Sequence, residues 1–191
     1  VTAGGENRDL DNPFLVFATQ NPIEQEGTYP LPEAQLDRFM LMIEVGYPTE
    51  EEEVNIVNLT TGAATPQVES VLTKNEIIEA QALVRHMPVA QNVVEYAVNM
   101  VRQTRPDSPN APQSIRDYVS FGAGPRASQN LILAGKANAL LNGRTSVERS
   151  DIRALVVPVL RHRLVTNFKA SASGITTKML LEEILNLESD A

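Results

Sequence analysis

The sequence predicts a mixed α/β chain that is predominantly α, with strands only near its start. Two apolar runs rich in aromatic and branched residues, Phe14–Ala18 and Phe39–Val45, have the composition of buried strands. A turn-forming segment, TTGAATP, follows at residues 60–66, and beyond it the apolar residues recur at helical spacing. We therefore expect two domains, at 1–60 and 61–191.

The first apolar run ends abruptly in the polar residues Thr19, Gln20 and Asn21, and Pro22 then stops strand pairing. Ligands of open α/β sheets bind outside the carboxyl ends of the strands, so Asn21 is placed to contact one. An Asn-Pro pair at a strand end is more often a turn former, and both interpretations stay open. Residues 1–13, rich in Gly, Asn and Asp, predict a strand end and a turn.

A short helix is predicted from Pro32 to Arg38, because proline suits the first turn of a helix. The second apolar run starts at Phe39. Arg38 is therefore expected at a helix-to-strand junction, with its side chain free to project. The simpler interpretation is a surface ion pair between Arg38 and its neighbour Asp37, which would contribute little stability.

Capping boxes mark the starts of two helices, because a Thr hydroxyl and a Glu three residues later satisfy backbone N–H groups in both directions. Thr49 with Glu52 starts a helix to about Leu59, and Thr73 with Glu76 starts another that ends before Pro88. The first helix is expected to face inward with Val54, Val57 or Ile56, and Leu59. The second is expected to do so with Ile77, Ala80, Val84 and Met87.

The next helices are bounded by proline and glycine. One, at about 93–105, must stop before Pro106. The following one starts at Pro125 and stops at Gly143. Its predicted inward residues are Ala127, Leu131, Ala134, Ala137 or Asn138, and Leu141.

The last helices are less regular. Pro158 is expected to break or restart a helix, which gives a pair at 149–157 and 158–164. A Ser-, Ala- and Gly-rich stretch follows at 169–174. A short amphipathic helix is predicted at 177–187.

The composition is that of a globular chain, since 42% of the 191 residues are hydrophobic and can bury a core. No apolar run approaches the length that spans a membrane. The absence of cysteine excludes disulfides and thiolate metal sites. This fits the cytoplasm, the location we expect, although many secreted proteins also lack cysteine.

Charge is distributed unevenly. Residues 1–60 carry twelve acids and two bases, a balance of −10, whereas residues 134–170 carry seven bases and two acids, a balance of +5. This asymmetry fits a head-to-tail contact between subunits, a nucleic-acid surface or merely differently solvated faces. The nucleic-acid interpretation is the weakest, because only one aromatic residue, Phe168, is interleaved among the cations that it would use. Six of the seven bases would form such a surface: Arg144, Arg149, Arg153, Arg161, Arg163 and Lys169.

Few single residues indicate chemistry. Arg126 falls in the first turn of a predicted helix, where a cation opposes the helix dipole, so we expect it to have an anionic partner. His86 and His162 form no metal or catalytic pattern and are interpreted as structural. Residues 23–32 have the composition of a loop. The carboxylates in and beside it have no paired partner and are interpreted as solvated: Glu24, Glu26 and Glu33.

Taken together, four sequence blocks resemble the MoxR family of AAA+ ATPases. They are ATQNP at 18–22, EGTYPLPEAQLDRF at 26–39, GAGPRA at 122–127 and VLRHRL at 159–164. The resemblance spans nearly the whole chain and is most specific in the first two blocks. It implies the C-terminal part of a P-loop NTPase α/β core at 1–60 and an all-helical AAA+ lid domain at 61–191.

The resemblance also implies roles for three residues. Asn21 is similar to the sensor-1 residue, which helps to orient the attacking water. Arg38 matches the arginine finger, which reaches the nucleotide of a neighbouring subunit and can raise the rate by about 10³ to 10⁵. Arg126 matches sensor 2, which ties the position of the lid to the state of the nucleotide. Gly124 stands where the family usually has serine, and glycine remains an acceptable N-cap.

Two family motifs are absent, since the sequence has neither a Gly-x-x-x-x-Gly-Lys-Ser/Thr loop nor an apolar run ending in Asp-Glu. The chain therefore resembles the part of a longer ATPase that follows Walker B. By itself it should be inactive and bind neither ATP nor Mg²⁺ tightly.

For the full-length parent, the resemblance implies ATP hydrolysis with Mg²⁺ in a ring, expected to be a hexamer. It implies a client protein, with a metal-dependent adhesion domain as one possibility, and neither nucleic acid nor a membrane span. The alternative is a non-catalytic interaction or oligomerisation module. A Gly-Lys-Thr loop encoded upstream would decide in favour of the ATPase.

Overall fold

The chain divides into two compact units in the computed structural model, which describes residues 2–20, 31–62 and 68–188. One unit consists of Val1–Val16 with Ile43–Gln81, and the other of Phe17–Met42 with Ala82–Ala191, counting the described residues of each. The domain boundary between residues 60 and 61 stays a prediction.

The first unit begins with a short hairpin, in which β1 (Thr2–Ala3) pairs antiparallel with β2 (Glu6–Asn7). Gly4 and Gly5 join the strands with φ angles of 62° and 83°. Tight hairpin turns require positive φ at these positions, and glycine adopts it without strain. The turn predicted for the start of the sequence is confirmed.

The helix α2 (Glu50–Thr61) of this unit starts where its capping box predicts. The Thr49 hydroxyl accepts a hydrogen bond from the Glu52 N–H, and the Glu52 carboxylate accepts one from the Thr49 N–H at 2.8 Å. The predicted inward face is wrong, because none of α2 is buried. A capping box satisfies backbone N–H groups within one helical turn. Burial requires a neighbouring element, and the apolar pattern of one helix does not show whether that element is present. The four residues expected inside are 49–63% exposed: Val54, Ile56, Val57 and Leu59.

The two apolar runs predicted as strands are not strands. Neither Phe14–Ala18 nor Phe39–Val45 forms a ladder with another strand among the described residues. Phe17 and Val45 are 89% and 91% exposed. A strand depends on ladder hydrogen bonds from a neighbour, and the sheets within the described ranges have only two strands each. These runs therefore have the composition of strands but no sheet within the described ranges to pair with.

The second unit is a bundle of helices around a hydrophobic core. Its longer helices are α4 (Gln91–Gln103), α6 (Pro125–Leu141), α7 (Arg149–Leu160) and α9 (Thr177–Leu187). The helix α3 (Lys74–His86) lies partly in each unit. The short elements of the second unit are α1 (Glu33–Leu36), α5 (Gln113–Tyr118), β3 (Val119–Phe121), β4 (Val165–Thr166) and α8 (Phe168–Ala172).

Four helices, α4, α6, α7 and α9, pack together and supply most of this core. Five apolar residues of α4 lie at helical spacing and are buried: Val93, Tyr96, Ala97, Met100 and Val101. Val98 is 38% exposed. Gly135 lets α6 approach α7 closely, since a Cβ there would lie 2.9 Å from Ile152 Cδ1. The fully buried side chains include Met100, Ile115, Leu131, Ile152, Leu160, Leu181 and Ile184.

Helix ends in this unit mostly follow the predicted signals. α6 starts with Pro125 in its first turn, the chain reverses at Gly143 with φ of 71°, and α9 covers the predicted residues. Leu141 is 86% exposed, so its inward prediction is wrong, because the last residue of α6 extends past its packing partners. The predicted break at Pro158 is also wrong, since α7 runs through it to Leu160. Near a helix end, proline removes one backbone donor and disrupts little helix beyond it.

Candidate functional site

Arg126 lies in the first turn of α6, and the loop before it is supported by the end of α4. The Ala123 N–H donates to Thr104 Oγ1 at 3.0 Å, and Arg105 Nε donates to the Ala123 carbonyl at 2.9 Å. Gly122 approaches the same turn so closely that a Cβ would lie 2.3 Å from the Thr104 carbonyl oxygen. Only glycine fits there without displacing the backbone. The GAGPRA block is thus built to present Arg126.

The anionic partner expected for Arg126 is the carboxylate of Asp37, which directly follows α1. Arg126 Nη1 forms an ion pair with Asp37 Oδ2. The Arg126 side chain is 49% exposed and that of Asp37 is 31% exposed. The interpretation that pairs Asp37 with Arg38 is wrong, because the described ion pairs of Asp37 join it to Arg126 and Arg163.

Arg163, just beyond α7, is the second partner of Asp37, and its side chain is only 1% exposed. Its Nε donates to Asp37 Oδ1 at 3.0 Å. Its Nη2 donates to the Asp37 and Phe39 carbonyls at 3.0 and 2.5 Å, and its Nη1 donates to the Met40 carbonyl at 3.3 Å and to that of Val159. Burial lowers the pKa of Arg163, and the Asp37 carboxylate opposes this shift. An arginine remains charged in such a site.

His162 adds a further contact to the same stretch of chain. Its Nε2 lies 3.1 Å from the Phe39 carbonyl and therefore carries the proton that it donates. Its Nδ1 is buried without a hydrogen-bond partner among the described residues. Burial is the main cause that lowers the pKa of His162. The Met42 N–H also donates to the Pro158 carbonyl at 2.8 Å, so residues 37–42 are fastened to the end of α7.

Arg38 lies within this fastened stretch, and its own side chain is exposed. Its guanidinium makes no hydrogen bond or ion pair with any residue that the structure describes. The prediction of a freely projecting side chain is confirmed, although α1 ends at Leu36 and no strand follows. The guanidinium of Arg38 is available to an anion from outside the chain.

The other candidates contribute less. Asn21 lies outside the described residues, as do Glu24 and Glu26. Glu33 is exposed in α1. His86 is exposed with Nδ1 2.8 Å from the Ala82 carbonyl at the end of α3, which fits its structural interpretation.

Cations of the basic segment are largely engaged within the chain. Arg144 donates to both carboxylate oxygens of buried Asp151, at 2.6 and 2.5 Å, and the Arg149 guanidinium lies 5.1 Å from the centre of the Tyr96 ring. Arg163 is buried. Since phosphate contacts need accessible cations, these contacts weaken the nucleic-acid interpretation.

The described residues provide neither a metal-binding cluster nor a membrane-spanning helix. They contain no group of three or more His, Asp or Glu side chains that could hold a metal ion. Within the same ranges, no helix has both the length and the apolar character needed to cross a bilayer.

The link between Asp37 and Arg163 could not be found by sequence reasoning, because the two residues are 126 positions apart. No local pattern distinguishes a buried arginine from an exposed one in a basic run. The available signal was that each residue lies in one of the blocks that resemble the family.

Comparisons with known proteins match both parts of this site. A family model described as "ATPase family associated with various cellular activities (AAA)" matches residues 1–41, and one described as "AAA lid domain" matches residues 113–184. The first match contains Asp37 and Arg38, and the second contains Arg126 and Arg163. The contacts of Asp37 therefore join the two matched regions.

Individual relatives agree with these matches. Chaperone MoxR1 of Mycobacterium tuberculosis is 40% identical over 97% of this chain and 49% of its own length. The Bacillus subtilis protein YeaC is 37% identical over 97% of this chain and 56% of its own length. A crystal structure of a candidate ATPase from Cytophaga hutchinsonii has a TM-score of 0.89 and 38% identity, covering 97% of this chain and 57% of that one.

The chain thus spans about half the length of the curated relatives that it matches. Both family models, these relatives and the solved structure agree with the four sequence blocks and with the helical fold. The chain belongs to the MoxR family of AAA+ ATPases.

Proposed function

We propose that this chain is the C-terminal part of an ATP hydrolase that remodels or assembles partner proteins. The observation that carries the proposal is the pair of accessible arginines, Arg38 and Arg126, with Asp37 bonded to one and adjacent to the other. Phosphoryl transfer is catalysed mainly by positioning and by charge stabilisation, for which arginine is well suited. The similarity to Chaperone MoxR1 supports the action on proteins.

Arg38 is proposed to act in trans as an arginine finger. Its guanidinium is exposed and unpartnered within the described residues, so it can reach a nucleotide on a neighbouring subunit. Its planar array of N–H donors would stabilise charge on the equatorial oxygens of the transferred phosphoryl group. This role requires a ring, which we propose to be a hexamer.

Arg126 is proposed to respond to the nucleotide as sensor 2. Its ion pair with Asp37 is half exposed, and such pairs contribute only about 0 to 1 kcal/mol. Arg126 can therefore exchange a carboxylate for a phosphate at small cost. Its position at the start of α6 would carry that change into the helical bundle.

The remaining parts of the proposal lie outside the described residues. Asn21 is proposed to orient the attacking water as sensor 1. Mg²⁺ would neutralise phosphate charge, and we propose that its ligands and the phosphate loop lie elsewhere in the full-length protein, so that this chain alone is inactive. The client protein and a cytoplasmic location stay predictions.

The test is ATP turnover by the full-length protein with Arg38→Ala. We expect kcat to fall by about 10³-fold or more, because charge on the transferred phosphoryl group is no longer stabilised. Arg102→Ala, which removes another exposed arginine from the end of α4, is the matched control and should turn over normally. Unchanged turnover by Arg38→Ala would overturn the finger assignment.

Action in trans needs a mixing experiment. Arg38→Ala subunits keep an intact nucleotide site, and subunits inactivated in the phosphate loop keep an intact Arg38. Mixed rings should therefore regain part of the activity that neither variant has by itself. An absence of recovery in rings shown to be mixed would contradict action in trans.

A further inference from the structure

We infer that Arg163 is a positioning residue for Arg38: it holds the backbone on both sides of Arg38 and thereby aims the side chain of Arg38. The inference rests on the proposed function of Arg38 as a finger. It assigns a role to the VLRHRL block, which the proposed sensors and finger leave without one.

The geometry is that of a clamp around one residue. The carbonyls that Arg163 binds belong to Asp37, immediately before Arg38, and to Phe39 and Met40, immediately after it. The guanidinium also binds the Asp37 carboxylate at 3.0 Å. Arg38 itself makes none of these contacts, so its side chain is left exposed while its backbone is held.

The clamp is built into the end of α7. The Arg163 side chain is 1% exposed, and it also donates to the Val159 carbonyl one turn earlier. His162 donates to the Phe39 carbonyl at 3.1 Å. Two neighbouring side chains therefore converge on one short stretch of backbone, which makes an incidental contact a poor explanation.

The hydrogen bonds made by Arg163 require an arginine at this position. A guanidinium has five N–H donors in a fixed plane and can bind several oxygens at once. A lysine has three donors on one nitrogen and cannot reach the same set of carbonyls. Arg163→Lys therefore keeps the charge beside Asp37 while it removes the clamp.

The clamp gives the lid a direct influence on the finger. Residues 37–40 lie in the region matched by the AAA model, and Arg163 lies in the region matched by the lid model. A change in the position of α7 would move the backbone of Arg38 with it. A displacement of about 1 Å in a positioned catalytic group can cost roughly 10²-fold in rate.

The experiment compares Arg163→Lys with Arg38→Ala in the full-length protein. We expect Arg163→Lys to lower kcat at least about tenfold, with the KM for ATP nearly unchanged because the variant's own nucleotide site is intact. Mixing Arg163→Lys subunits with subunits inactivated in the phosphate loop should restore activity. The double variant with Arg38→Ala should be no slower than Arg38→Ala alone, because residues that act as a unit are not additive.

Arg116→Lys is the matched control. Arg116 also clamps backbone carbonyls, those of Ser108, Pro109 and Ala111 at 3.0 to 3.2 Å, and none of them belongs to residues 37–40. It should keep normal turnover. If Arg163→Lys fails to assemble, His162→Leu removes one donor of the clamp, and the same mixing and double-variant measurements apply to it.

The outcomes separate the two proposals. If Arg38→Ala is inactive while Arg163→Lys turns over normally, the positioning role is overturned and the finger stands. An additive loss in the double variant would also overturn the positioning role. If Arg38→Ala itself turns over normally, the finger assignment fails, and the positioning role fails with it.

Discussion

The carboxylate of Asp37 is shared between two arginines of very different exposure, and its bond to the buried Arg163 is the one that matters for stability. Arg163 is 1% exposed at the side chain, whereas Arg126 is 49% exposed. An ion in the interior that loses its partner keeps its desolvation cost, while an ion at the surface regains water.

Asp37→Asn should therefore destabilise the chain more than Arg126→Ala does. We expect about 2 kcal/mol for Asp37→Asn, since a charge-assisted hydrogen bond to a buried cation is lost. For Arg126→Ala we expect less than about 1 kcal/mol. Urea unfolding of the 191-residue chain measures both. Equal losses would show that Arg163 does not depend on the carboxylate.

Gly122→Ala should destabilise the loop that presents Arg126. The added Cβ would lie 2.3 Å from the Thr104 carbonyl oxygen, and forcing the backbone apart costs about 1 to 3 kcal/mol. Hydrogen exchange at the Ala123 amide, which donates to Thr104 Oγ1, should become faster.

Gly124→Ser is the matched control for that loop. No atom lies within 4 Å of a Cβ at Gly124, and this residue is the N-cap of α6. A serine should stabilise the helix by a few tenths of a kcal/mol, at about the limit of detection. A loss comparable with that of Gly122→Ala would show that the loop tolerates no side chain at all.

Asp151 should make stability depend on acid pH. Its hydrogen bonds with Arg144 are the largest cause that lowers its pKa from 3.8 to about 2, and burial opposes them. Because the unfolded state binds the proton more tightly, the carboxylate contributes stability above about pH 4 and loses it as the pH falls toward 2. The shift corresponds to about 2 kcal/mol.

Comparison with Asp151→Asn isolates this contribution from other titrating groups. The difference in unfolding free energy between the natural chain and the variant should shrink between about pH 4 and pH 2. A difference that stays constant across that range would show that the pKa of Asp151 is not lowered in the folded chain.

His162 should make the stability of the chain depend on pH in a higher range than Asp151 does. Burial lowers its pKa below the ordinary value of 6.5, so the unfolded state takes up a proton first as the pH falls. The free energy of unfolding should therefore decrease as the pH falls below 6.5, because protonation then stabilises the unfolded state. The test compares the thermal unfolding of the natural chain with that of His162→Gln between pH 7.5 and 5. Both proteins contain His86, so it does not affect the difference between them. Parallel pH profiles would contradict the prediction.

The sequence by itself determined most helix starts and ends. Thr49 with Glu52 and Thr73 with Glu76 form the predicted capping boxes. Pro125 opens α6 as predicted. These signals succeed because caps act within one turn, where the interacting groups are neighbours in sequence.

Which apolar surfaces are buried was decided by tertiary structure. The apolar run at Phe14–Ala18 has the composition of a strand and α2 has an apolar side, yet both are exposed in this chain. The reason is that burial and strand pairing need a second element, and a local pattern contains no information on whether that element is present. Pro158 shows the same limit, because the cost of a proline depends on how much helix follows it.

The candidate site divides in the same way. The sequence blocks identified Arg38 and Arg126, and the dipole at the start of α6 predicted an anion beside Arg126. Only the folded chain showed that this anion is Asp37 and that Arg163, 126 positions away, holds the backbone around Arg38. A hydrogen bond between distant residues depends on how helices pack, and the spacing of residues along the chain does not encode that packing.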